Sequence, residues 1–171
     1  MMRMLLVDAF FAAIAGMGFG AISNPPKKAL PLAGLLAGAG HAARMFLMDG
    51  PIGMHVVPAT LTAAFLIGFL GFAIGRINRI PAEVFTFPAL LPMIPGKFAY
   101  NAIISTISFL QSRDAEQSQR LLIDMFSNGM KATFILLAIV VGASMSVFID
   151  TLSTKRQTRL FFKFKSKKNA G

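Results

Sequence analysis

One stretch of the chain combines backbone disruption with positive charge: Phe85-Thr-Phe-Pro88-Ala-Leu-Leu-Pro92-Met-Ile-Pro95-Gly96-Lys97-Phe-Ala-Tyr100-Asn101. Each proline lacks a backbone donor and clashes with the carbonyl four residues back, at about 3 kcal/mol in a helix interior. Pro88, Pro92, Pro95 and then Gly96 therefore predict two half-helices with irregular backbone over 92–96. A second half-helix opening at Gly96 presents unpaired amides and a positive dipole end, to which Lys97 adds a full charge. That combination suits an anion such as a carboxylate. Asn101, Ser105, Ser108 and Ser112 follow Lys97 at steps of four, four, three and four, forming one polar stripe. The competing reading is a kinked structural helix, its lysine snorkelling and its serines bonded to their own carbonyls.

His41 and Arg44 are three residues apart and share a helical face. Ionisable groups at membrane depth usually face the protein interior and carry function. With a rise of 1.5 Å per residue, Arg44 and Asp8 each lie roughly 6 Å from the outer ends of adjacent antiparallel spans. An Asp8–Arg44 ion pair is expected, static or part of a charge or proton relay. His41 lies one turn deeper, either a packing residue or the pH-sensitive member of that relay. The acids Asp8, Asp49, Glu83, Asp114, Glu116, Asp124 and Asp150 are too scattered for a metal site. H-E-x-x-H, G-x-S-x-G and P-loop signatures are missing, and there are no cysteines. No enzyme activity, metal or cofactor is expected.

The elements that position these residues are apolar helices. Of 171 residues 55% are apolar and only 14% charged, too few charges to cover a soluble domain of this size. Mean hydropathy is +0.65, which excludes disorder. Uncharged runs place five spans at about 4–23, 30–48, 52–75, 84–112 and 130–150. The second is the least apolar because it holds His41 and Arg44; without it the count is four. Residues 24–28, 49–51 and 76–83 are short connections. Residues 113–128 read as one long loop, with a short interfacial helix from Leu121, Leu122, Met125 and Phe126. The expected fold class is an all-α, polytopic membrane helical bundle whose fourth helix is broken at the Pro-Gly segment.

Residues 1–154 form the expected transmembrane bundle and 155–171 a basic tail. Seven of the 17 basic residues lie in that tail, beside no acid, so the net charge of +10 is mostly a topology signal. Its alternation of aromatic and basic residues suits anionic lipid rather than nucleic acid. A cytosolic C-terminus then puts eleven Lys and Arg inside and four outside, with the N-terminus outside. Asp8 inside the first apolar run, with no A-x-A site after it, argues against a cleaved signal peptide. Gly16-x-x-x-Gly20, Gly34-x-x-x-Gly38 and Gly71-x-x-x-Gly75 permit close helix approach.

Gly34-x-x-x-Gly38-x-Gly40-His41-x-x-Arg44, followed by Pro88-x-x-x-Pro92-x-x-Pro95-Gly96-x-x-x-Tyr100, resembles the threonine/serine exporter (ThrE) family over residues 5–150. The chain is similar to the half-length, YjjB-like type, the second half of full-length exporters. The resemblance implies a YjjP-like five-span membrane subunit as partner, in the bacterial cytoplasmic (inner) membrane. It also implies secondary export of a small polar carboxylate: threonine or serine, or succinate for the split type. Lys97 is not required by the family's pattern and would favour more anionic solutes. The expected substrate-binding residues are Pro92, Pro95, Gly96, Lys97, Tyr100, Asn101 and Ser105. An odd span number forces the ends of this half onto opposite sides, which suits an inverted pairing with a second five-span unit. The alternative is a non-transporting membrane scaffold or assembly subunit.

Overall fold

The computed structural model describes residues 2–168, with side-chain surroundings through Ser144 and at Phe148. It is an all-α bundle: α1 (Met2–Ile22), α2 (Ala29–Asp49), α3 (Val56–Asn78), α4 (Glu83–Leu90), a 3-10 turn (Leu91–Met93), α5 (Gly96–Gln111) and α6 (Ala115–Lys168). Four helices are long and apolar enough to cross a membrane: α1, α2, α3 and α6 over Ala115–Ser144. The expected fourth span, 84–112, is α4 and α5 about the expected break.

Proline chemistry makes that break. Ile94 is extended at φ −56° and ψ 131°, as the ring of a following proline demands. Pro95 has φ −79° and ψ 55°, the geometry of an inverse γ-turn. The Gly96 N–H accordingly donates to the Ile94 carbonyl at 2.8 Å. Helical hydrogen bonding stops at Met93 and resumes at Gly96.

Residues 113–128 differ from the expected loop. From Ala115 they are the first turns of α6, and no separate interfacial helix exists. The Asp114 carboxylate accepts the Gln117 N–H at 2.9 Å, the N-terminal half of a capping box. No glycine or proline interrupts 115–128. At 1.5 Å per residue α6 is roughly 81 Å long, over twice a bilayer core of about 30 Å. It runs past 150 and past the expected tail boundary at 154 without interruption. The lipid contacts expected of the basic side chains in 155–171 lie outside the described residues.

α1 and α2 pack antiparallel at glycine distance. A Cβ on Gly34 would lie 2.9 Å from the Ala13 carbonyl oxygen, and one on Gly38 2.8 Å from that of Ala9. Backbone therefore meets backbone along this seam, and no side chain fits. α4 lies against α1, α2 and α3, with Phe85 and Ala89 in a core with Leu36, Ile67 and Met93. The middle of α6 closes on α3, where Gly142 faces Ala64 and Phe65. α5 packs on α6 and scarcely touches the other helices. None of its residues is buried.

Candidate functional site

The break leaves two carbonyls without their helical donors. In an unbroken helix the Pro92 carbonyl would accept from Gly96 and that of Met93 from Lys97. Unpaired carbonyls at membrane depth are costly. Here α2 supplies the donors. His41 Nε2 lies 3.1 Å from the Pro92 carbonyl, and Arg44 Nη1 donates to that of Met93 at 3.3 Å. The three-residue spacing of His41 and Arg44 thus matches two successive carbonyls of the 3-10 turn. The other ring nitrogen, His41 Nδ1, lies 2.7 Å from Asp8 Oδ2. One imidazole therefore joins α1, α2 and the break.

The expected Asp8–Arg44 pair is replaced by Asp8–His41. Counting from span ends gave Asp8 and Arg44 equal depth, but the glycine seam sets the register. Ala13 faces Gly34 and Ala9 faces Gly38, so the next residues along the seam bring Asp8 to His41. Arg44 stays within electrostatic reach of Asp8 while its guanidinium turns to the break.

Beyond the break, α5 opens toward free space. The Gly96 Cα has nothing within 4 Å of where a Cβ would be. Among the described residues the Lys97 and Phe98 amides have no backbone acceptor, because the Met93 carbonyl serves Arg44 and that of Ile94 serves Gly96. Lys97 is exposed and makes no ion pair among the described residues. Tyr100 is exposed, while Asn101 and Ser105 are half-buried on the flank toward α6. Their polar atoms make no hydrogen bond among the described residues, so Ser105 does not bond back to its own helix. Only Thr106 on α5 does so, to the Ala102 carbonyl at 2.7 Å. Ser112, the end of the expected stripe, is drawn into the α5–α6 turn by Asp114.

The family model for the threonine/serine exporter ThrE matches residues 8–149. The chain belongs to the threonine/serine exporter family. This is a family of transporters, not of enzymes. An uncharacterized protein of Haemophilus influenzae is similar at 40% identity over 144 residues, 84% of this chain and 47% of that protein. The chain thus spans about half the length of this relative. No solved structure matches it.

In this exporter-family chain the residues singled out from sequence fall into two adjoining groups. Asp8, His41, Arg44 and Pro92 come together in the network beneath the break. Gly96, Lys97 and Tyr100 are exposed in the first turns of α5, Asn101 and Ser105 follow half-buried along the same helix, and buried Pro95 separates the groups. Met93 was not singled out, although its carbonyl is a network member. Its signal was available: a break over 92–96 separates the carbonyls just before it from the amides four residues on.

Proposed function

We propose that the chain is one half of a secondary exporter of small polar carboxylates, threonine and serine or a dicarboxylate such as succinate. Its partner is a second five-span, YjjP-like membrane subunit. The observation that carries this reading is the start of α5: two amides and a lysine without partners among the described residues, open to space that those residues do not fill. A carboxylate there gains from the amides, the dipole end and Lys97 in a medium of low dielectric. Asn101 and Ser105 offer free hydrogen-bonding groups to the polar end of the solute.

Two further features favour a partner. A relative twice as long has room for a second unit of similar size. Ile103, Ile107 and Leu110 leave one side of α5 apolar and uncovered. We place the protein in the bacterial inner membrane, N-terminus outside and C-terminus cytosolic, from the lysine and arginine asymmetry. The test is solute counterflow in liposomes holding both subunits or either alone. Flux only with both is expected. A stable complex that moves none of these solutes supports the scaffold reading instead.

A further inference from the structure

His41 has more acceptors than a neutral ring can serve. A neutral imidazole carries one N–H. Its two neighbours are a carboxylate oxygen, Asp8 Oδ2 at 2.7 Å, and a carbonyl oxygen, Pro92 O at 3.1 Å. The carbonyl can only accept. Both contacts coexist only if the pair holds one additional proton, as imidazolium beside carboxylate or as neutral imidazole beside carboxylic acid. Removing that proton leaves one donor for two acceptors. The bond to the carboxylate is charge-assisted and the stronger, so the remaining proton goes to Nδ1. The Nε2 lone pair then faces the Pro92 carbonyl, and that contact opens.

We propose that Asp8 and His41 form a single-proton binding site whose occupancy ties the broken segment to α2. Access is from the Asp8 side: its side chain is 40% exposed against 11% for His41. Asp8 lines an open groove of about 480 Å³ with Arg3, Met4, Val7, Phe11 and Met45. The charged groups around the pair are Arg3 on α1 and Arg44 on α2, and both stay protonated. The 3-10 turn presents carbonyls only. The exchangeable proton therefore belongs to the pair. With it bound, two donors from α2 hold two successive carbonyls; with it lost, only Arg44 holds the break. The inference rests on hydrogen-bond geometry and not on the identity of any solute, and its test reads no flux.

The test is nitrogen-15 NMR of the full chain in lipid bilayers, carrying His55→Gln so that His41 is the sole histidine. At low pH Nε2 carries a proton. On raising pH the ring loses its Nε2 proton and keeps that on Nδ1. Asp8→Asn reverses the outcome: the asparagine amide donates to Nδ1, so the neutral ring keeps its proton on Nε2, toward Pro92. Labelling of Met93→Cys, buried in the native chain at 1% exposure, reads the same event. Measured as a ratio to an exposed reference cysteine, which removes the thiolate's own pH dependence, it rises several-fold on deprotonation with Asp8 present and stays flat with Asp8→Asn. A wild-type ring that still carries its proton on Nε2, and none on Nδ1, at the high-pH end of the titration overturns the proposal, and this decides the matter even if the variant fails to accumulate. So does labelling that ignores pH in the wild type or follows it equally in both proteins.

Discussion

His41 is where the polar chemistry of this chain converges, because among the described residues its ring is the one side chain that hydrogen-bonds to both α1 and the break. Its worth is measurable against the pairing that depth counting suggested. Asp8→Ala and His41→Ala should be coupled by about 0.5–3 kcal/mol, as expected of residues in one hydrogen-bonded network. Asp8→Ala and Arg44→Ala should be coupled less, since Arg44 spends its donor on Met93. Reversible unfolding of the four proteins of each cycle in lipid decides this; equal couplings would mean that Asp8 is shared. Residue types and depths were legible in the sequence, and so was the expectation of a buried acid–base group. The partner was not. Depth fixes height along a helix but not the direction a side chain points, and that direction came from the contacts Gly34–Ala13 and Gly38–Ala9.

At the scale of elements, three prolines and a glycine located the break within residues 92–96, because missing donors and ring clashes are local properties. The length of α6 was not legible in the same way. Polar residues at 113–128 looked like a loop, yet Asp114 caps a helix there. Polarity marks exposure, whereas helicity depends on caps and the absence of breakers. Restoring the donors with Pro92→Ala and Pro95→Ala together should join α4 to α5 as one helix. Helix content by circular dichroism should be kept or rise slightly, while the carbonyls of residues 92 and 93 leave His41 and Arg44. Transport should then fall at least tenfold; undiminished transport would mean that the break is dispensable. Two glycines separate packing from the site. Gly38→Leu places a side chain against the Ala9 carbonyl and should cost more than the 1–3 kcal/mol of ordinary overpacking, so assembled protein is lost. Gly96→Leu meets nothing within this chain and should leave assembly intact while blocking solute approach. Quantifying membrane-inserted protein beside flux distinguishes the two.

Over the whole molecule, the proposed reading makes the described helices one half of a transporter. α1 to α4 and the middle of α6 form a packed body, and α5 offers that body's open edge. The chain has no native cysteine, so single cysteines at Ser118 and Ser166 report topology cleanly. They should differ in labelling by an impermeant reagent added outside, Ser118→Cys reacting and Ser166→Cys protected. Their separation of 48 positions along α6 corresponds to roughly 72 Å of helix, enough to place both beyond the bilayer. Equal labelling in intact cells would contradict the orientation. The most direct test is transport of succinate and threonine in liposomes by matched amounts of assembled complex, wild type against Lys97→Ala. Loss of a charge-assisted contact of about 1.5 kcal/mol or more should lower succinate transport about tenfold. Threonine transport should fall less, because its own ammonium offsets part of the attraction, so the succinate-to-threonine ratio drops. Unchanged rates and an unchanged ratio would place Lys97 outside the site and contradict the account.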